Sequence, residues 1–330
     1  MQNLVGRLIQ LACDAKQSDA NQSKDLRSAC IQALASLDPN SLLSLLPSFV
    51  HKDEICIWAD DEAISEIARS LRTSTPHAGA VSALFSVTAY PLGQWTEKEV
   101  IETIVALVKN AEDDDFLRTV CEYLEHEDAY VRRTAASVLA KLGDEITLYQ
   151  QSYILPYLLR ALKDSDTLVR CRVCYAMGSI GDPCFIPYLV ESLNDPEEAV
   201  REVAATALLQ FGPKALEPLV AIVATWPPSR GLEAADFVVR QIMTNYDVSD
   251  EIVALLRDYS KIHRYVLTRL SQISRTTHQL DGSYISSFII TLIKEGEVQE
   301  SDLDLAFDVV TRLGGSELPR LIRQLAFSPS

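Results

Sequence analysis

The chain has 330 residues, 48% of them hydrophobic, with 30 Lys and Arg against 46 Asp and Glu and a formal charge of −16. That balance repels nucleic-acid backbones and anionic membrane surfaces and favours basic partners. No run approaches the roughly 20 apolar residues of a membrane span. The predicted elements are all helical. Residues 1–15 form a first helix, followed by a polar stretch over Asp14–Lys24. Helices then follow over Asp25–Leu37, Leu42–Val50 after the Asp38-Pro39-Asn40-Ser41 cap, and Asp53–Leu71, which ends in Thr73-Ser74-Thr75-Pro76. Val81–Ala89 and Thr96–Lys109 continue the pattern, with Glu99 completing a capping box on Thr96. The acidic run Glu112-Asp113-Asp114-Asp115 punctuates the chain before a stretch that repeats itself.

From Phe116 to Val223 the same pattern is written about three times. Val169-Arg170 and Val200-Arg201, Gly181 and Gly212, Asp164 and Asp195, and Pro156, Pro187 and Pro218 recur every 31 residues. A fixed period of roughly 20 to 50 residues is the signature of stacked repeats. An earlier copy, Val131-Arg132 to Gly143, lies 38 residues upstream of its counterpart, so seven extra residues near Ile146–Ser152 lengthen one connection. Within a unit, Leu155, Leu158, Leu159 and Leu162, and then Ile186, Leu189, Val190 and Leu193, follow the one-face spacing of an amphipathic helix. The prolines stand near the start of that first helix, where a missing N–H breaks no intrahelical bond. An acidic turn, Lys163-Asp164-Ser165-Asp166 or Asn194-Asp195-Pro196-Glu197, then offers oxygens to cap the second helix. Gly143, Gly181 and Gly212 stand where a left-handed residue ends it.

Past Val223, Trp226-Pro227-Pro228-Ser229-Arg230-Gly231 interrupts the register and is the candidate bend or boundary. Helical patterns resume at Leu232–Tyr246, Asp250–Tyr259, Ile262–Arg275, Tyr284–Lys294, Asp302–Leu313 and Glu317–Phe327, and no strand-like alternation competes with them.

The second helix reads V-R-x-x-A-A-x-x-L, as in Val131-Arg132-Arg133-Thr134-Ala135-Ala136-Ser137-Val138-Leu139, and this pattern resembles the HEAT repeat family. Its short period and turn chemistry are most similar to the HEAT-like repeats of the phycobilin lyase type. The resemblance implies an all-α fold, an α-solenoid of helical hairpins, in which a turn aspartate and a second-helix arginine pair along the stack. Asp164, Asp195, Arg170 and Arg201 match those positions. The first copy departs, with His126 at the aspartate position and Asp128 two residues later. The chain divides into divergent helical repeats over 1–115, clear repeats over 116–225 and divergent repeats over 226–330. A solenoid grows by units that touch only their neighbours, so one continuous superhelix accommodates all three.

Candidate chemistry is sparse. Seven cysteines, Cys13, Cys30, Cys56, Cys121, Cys171, Cys174 and Cys184, sit mostly in helical patterns and read as free thiols in a reducing, cytoplasmic setting. Leu11-Ala12-Cys13 is preceded by Arg7 and Gln10 and does not read as a lipidation or secretion signal. Cys171-Arg172-Val173-Cys174 is a C-x-x-C, but Cys174 aligns with Ala136 and Ala205 as a small core residue. His126-Glu127 is a single His-Glu pair. Deoxyhypusine hydroxylases resemble this architecture and use several such pairs to hold two irons, so a single pair supplies too few ligands and no cofactor or metal is expected. The basic segment Arg257, Lys261, Arg264, Arg269 and Arg275 reads as a solvated helix face rather than the basic concave surface of HEAT-like DNA glycosylases.

Aligning the copies leaves a second-helix face off the buried stripe: Arg133, Ser137 and Lys141, then Cys171, Tyr175 and Ser179, then Glu202, Thr206 and Gln210. The expected function is a non-enzymatic protein-interaction module that holds a protein partner, favoured by charge to be basic, on that face. A phycobilin lyase-type subunit or chromophore chaperone, and an inhibitor or immunity protein masking a basic toxin or enzyme, are the alternatives.

Overall fold

A computed structural model describes residues 6–11, 20–37, 42–43, 45–52, 57–59, 61–72, 78–111, 114–224, 226, 229–258, 263–272 and 280–314. The predicted helix Glu317–Phe327, the Thr73–Pro76 segment, Pro227-Pro228, Lys261, Arg275, Cys13 and Cys56 lie outside them. Contacts gather into two compact units, Met1–Ile180 and Gly181–Ser330.

The first unit contains α1 (Ala20–Leu37), the short strands β1 (Val50–Lys52) and β2 (Ile57–Ala59), α2 (Asp61–Arg72), α3 (Ala78–Thr88), α4 (Gln94–Lys109), α5 (Asp115–Glu122), α6 (Ala129–Leu142), α7 (Leu148–Ala161) and α8 (Thr167–Ile180). Its helices pack in two rows, α2, α4, α6 and α8 in one and α3, α5 and α7 in the other. The second unit contains α9 (Ile186–Ser192), α10 (Glu198–Phe211), α11 (Leu216–Val223), α12 (Arg230–Asn245), α13 (Ser249–Asp258), α14 (His263–Gln272), α15 (Gly282–Glu295) and α16 (Leu303–Leu313). Here α9 packs on α11 and α13 on α15, while α10 packs on α12 and α14 on α16. Each unit is therefore a stack of helical hairpins, the all-α solenoid arrangement that the repeats imply.

The rows hold together through the stripe that the sequence repeats. Val131, Ala135, Val138 and Leu139 on α6, Val169, Val173, Cys174 and Met177 on α8, and Val200, Ala204 and Leu208 on α10 are essentially fully buried. At roughly 25 cal/mol per Å² of apolar surface, this burial outweighs any single polar contact along the stack. Alanine at the matching depth lets neighbouring backbones approach, and Cys174 takes that place on α8.

Four local expectations change. Residues 50–52 and 57–59 pair as antiparallel strands, with Val50 opposite Ala59, His51 opposite Trp58 and Lys52 opposite Ile57, where Val50 had been expected to end one helix and 57–59 to lie within the helix over Asp53–Leu71. Three residues per strand are too few to leave a period-two signal. Thr96 is not an N-cap: α4 begins earlier, at Gln94, and the buried Thr96 hydroxyl donates to the Asp61 carbonyl at 3.2 Å. Pro156 is not at a helix entry. The seven-residue insertion supplies a new cap, Thr147 with Gln150 in a reciprocal capping box, and α7 starts at Leu148, leaving Pro156 inside the helix. Pro187 and Pro218 do stand in the first turns of α9 and α11. The closing glycines have positive φ as expected, but Gly143 at φ 50°, ψ −127° lies outside the left-handed helical basin, in a region essentially open to glycine alone.

Candidate interaction grooves

The acidic turns are built alike. Asp164 accepts from the N–H of Asp166 at 2.8 Å, and Asp195 from that of Glu197 at 2.9 Å. His126 performs the same task through Nδ1, which accepts from the N–H of Asp128 at 3.0 Å. The substitution of histidine therefore preserves the turn. Asp128 caps α6 by accepting from the N–H of Tyr130. Arg132 donates Nε and Nη2 to the two carboxylate oxygens of Asp164 at 2.6 and 2.7 Å, and its Nη1 donates to the carbonyls of His126 and Glu127. The pair is largely sequestered, with side chains 13% and 9% exposed. Removing either partner alone would leave the other charge largely sequestered and unpaired and cost about 3 kcal/mol, more than an exposed ion pair contributes.

A second inter-repeat clamp lies beside it. Arg133 donates to Asp166 at 2.8 and 2.5 Å and places its guanidinium 4.8 Å from the Tyr130 ring centroid. The Arg133 hydrogen bonds overcome burial and hold the Asp166 carboxyl down at about 2. Arg133 is thus engaged along the stack. Cys171 is buried, because its small side chain sinks where the larger Arg133 and Glu202 of the other copies reach outward. The backbone carbonyl of Ser179 faces Gly143, 3.3 Å from where a Cβ would stand there.

Ser137, Lys141 and Tyr175 come together in a groove of about 500 Å³ on the first unit. Gln94, Trp95, Glu97, Lys98 and Ile101 of α4 form one wall, with Ala140 and Arg172 completing it. Trp95 is 78% exposed and Tyr175 51%. The floor is tied down by Arg172, whose Nη1 donates to the Glu97 carboxylate and the Ser137 hydroxyl, both at 2.7 Å. One arginine on α8 thereby braces α6 and α4.

Glu202 and Thr206 line a separate groove of about 850 Å³ on the second unit, with Glu198, Arg201, Ala205 and Leu209 of α10 and Arg230, Glu233, Ala234 and Phe237 of α12. Phe237 is 46% exposed. Arg201 is buried, and its Nη1 donates to the carbonyls of Asp195 and Pro196. Gln210 is exposed on α10 but does not line the groove. Sequence alignment of the clear copies missed Glu97, Lys98, Arg172, Glu198, Glu233 and Phe237. Four of these six come from α4 and α12, in repeats that lack the signature. Trp95 had a readable signal, since it stands off the buried stripe of Val100, Ile101 and Ile104.

Among the described residues no group of three or more His, Cys, Asp or Glu is placed to hold a metal ion, and no helix is long and apolar enough to cross a membrane.

Paired helices, glycine-closed turns and an arginine that reaches the next turn's aspartate define a helical-repeat solenoid. The family model of HEAT repeats matches residues 117–209 and 155–236. The match is to HEAT repeats in general and does not single out the phycobilin lyase type. A deoxyhypusine hydroxylase of Drosophila pseudoobscura pseudoobscura is 47% identical over 49 residues, 14% of this chain and 16% of that protein. The chain therefore aligns with only about a sixth of that relative. An engineered protein of known crystal structure is 17% identical, with a TM-score of 0.41 over 98% of this chain and 91% of its own. The crystal structure of Kap121p bound to RanGTP is 14% identical, with a TM-score of 0.49 over 96% of this chain and 40% of that one.

Proposed function

We propose that this chain is a non-enzymatic interaction module that holds protein segments in grooves on the faces of its second helices. The observation that carries this reading is the pairing, in each unit, of a groove with an exposed aromatic side chain: Trp95 and Tyr175 in one, Phe237 in the other. Large aromatics are the anchors that bury most area per ordered side chain at interfaces.

Charge then selects among segments. The second-unit groove carries the carboxylates of Glu198, Glu202 and Glu233 against the guanidiniums of Arg201 and Arg230, and Arg201 already donates to backbone carbonyls. A basic segment suits that lining. The neighbouring aliphatic stems of its lysines or arginines can lie against Phe237 and Leu209 while their heads reach the carboxylates. The free, buried thiols of Cys30 and Cys121 support a reducing, cytoplasmic setting. His126, the histidine of the single His-Glu pair, is occupied as a turn residue.

The test is fluorescence polarisation with a labelled peptide of alternating arginine and leucine. Wild-type protein should bind it at low salt and release it as salt screens the carboxylates, and Glu202→Lys with Phe237→Ala should weaken binding roughly tenfold or more. Equal affinity in the double variant, with an unchanged circular dichroism spectrum, would remove the second-unit groove from this reading.

A further inference from the structure

The first-unit groove has the opposite electrostatic character from the chain that carries it. Lys98 on α4 and Lys141 on α6 line it, and behind them Arg69 and Arg72 on α2 pair with Glu99 and Glu102 of α4. Glu102 is shared by Arg72 at 3.3 Å, Lys98 at 3.9 Å and Lys141 at 3.3 Å. Burial alone would raise the Glu102 carboxyl; the hydrogen bond from Lys141 and the charges of Arg72 and Lys98 outweigh it and hold it below the ordinary range. The other ion pair of the groove, Arg172 with Glu97, is neutral in sum. The carboxylates lie inward and the lysines outward: the side chains of Lys98 and Lys141 are 56% and 42% exposed, that of Glu102 30%. Of the charged side chains that line the groove, Lys98, Lys141 and Arg172 stand against Glu97, with Glu102 behind the two lysines, so in a chain of net charge −16 the groove carries a local positive surplus.

The apolar part of the groove is equally specific in place. Trp95 and Tyr175 stand over Ile101 and Ala140, and Lys98 lies 5.7 Å from the Trp95 ring centroid. A floor braced by Arg172 keeps the walls from closing on each other, so a ligand does not first have to order them.

We infer that the first-unit groove is the docking site for an acidic protein segment, one that places an aromatic or large aliphatic side chain between Trp95 and Tyr175 and sets a neighbouring Asp or Glu against Lys98 and Lys141. This rests on the interaction-module reading and gives one of its two grooves a partner chemistry opposite to that of the other. Two acidic molecules of like net charge ordinarily repel, so a local positive patch is what such a partner requires.

The experiment uses the full chain and three labelled peptides: an acidic one with central Phe and Leu flanked by Asp and Glu, the same peptide with every acid changed to Lys, and the acidic peptide with Phe and Leu changed to Ala. The acidic aromatic peptide should bind, and the Ala version at least about tenfold more weakly. Lys141→Glu and Trp95→Ala should each lower its affinity by about tenfold. Circular dichroism and the unaffected second-unit binding report that these variants are folded. Affinity for the acidic peptide that is absent, or indifferent to Lys141→Glu and Trp95→Ala, overturns the inference; if the Lys peptide still binds in a Glu202-dependent manner, the interaction-module reading survives that failure. A concentration-dependent dimer in sedimentation that Trp95→Ala abolishes would assign the groove to a second copy and also overturn it.

Discussion

Arg133 shows how a residue that reads as surface charge becomes part of the frame. Its partner Asp166 sits in the turn of the next repeat, and both side chains are about one-fifth exposed, at 18% and 21%. The depressed Asp166 carboxyl makes this contact pH-dependent. With a native value of about 2 against an unfolded value near 3.9, the stabilisation is present above pH 4 and is lost as pH falls through 2. Its size is about 2 kcal/mol at most, given the partial exposure. Arg133→Ala should therefore lower stability in urea by about 1–2 kcal/mol at pH 7, and the gap from wild type should shrink steadily between about pH 4 and pH 2. A gap that persists at pH 2 would place the role of Arg133 in its packing on Tyr130 instead. Cys121 obeys the simpler rule that burial disfavours the charged form: its thiol is pushed up to about 12, mainly by desolvation, with Glu122 adding to it.

At the scale of an element, close approach decides what the repeat pattern cannot. Gly231 belongs to the segment that breaks the 31-residue register, yet it lies in the first turn of α12, buried against the turn after α9. A Cβ there would stand 2.8 Å from the carbonyl oxygen of Leu193 and 2.0 Å from Oδ1 of Asn194. Asn194 can turn aside, but the Leu193 backbone cannot without moving its helix. Gly231→Ala should cost about 1–3 kcal/mol in thermal or urea unfolding despite the higher helix propensity of alanine, because overpacking outweighs a propensity gain of about 1 kcal/mol. Stabilisation by that substitution would mean that α12 does not seat this closely. The extended α7 makes a related point, since an insertion that reads as extra loop instead acquired its own capping box and became helix.

For the whole molecule, the net charge sets the response to salt. Among the described residues, ion pairs such as Arg132 with Asp164, Arg133 with Asp166 and Arg269 with Asp236 are local clamps, whereas the surplus of 16 negative charges acts over the whole surface. Screening weakens both, but exposed pairs contribute little while self-repulsion grows with total charge. Raising NaCl from about 20 to 200 mM should therefore raise Tm by about 2–4 °C, equivalent to about 1 kcal/mol for units of this size. A fall in Tm over the same range would show that the clamps dominate.

The sequence by itself determined the helical-hairpin architecture, because a strict period, buried stripes at helical spacing, acidic caps and closing glycines all follow from short-range rules. It also located Ser137, Lys141, Tyr175, Glu202 and Thr206 off the buried stripe, since side-chain direction on a helix follows from spacing alone. What the tertiary structure decided was which of those positions remain open. Arg133 and Asp166 are 33 residues apart and Arg172 and Glu97 75, and no local pattern announces that either pair meets. The grooves need walls from α4 and α12, whose repeats have diverged, so their lining is set by helix packing rather than by the repeated motif. Charge divides the same way: composition gives −16 for the chain, but only packing gathers Arg69, Arg72, Lys98 and Lys141 around two carboxylates, because Coulomb interactions depend on distance in space rather than separation in sequence.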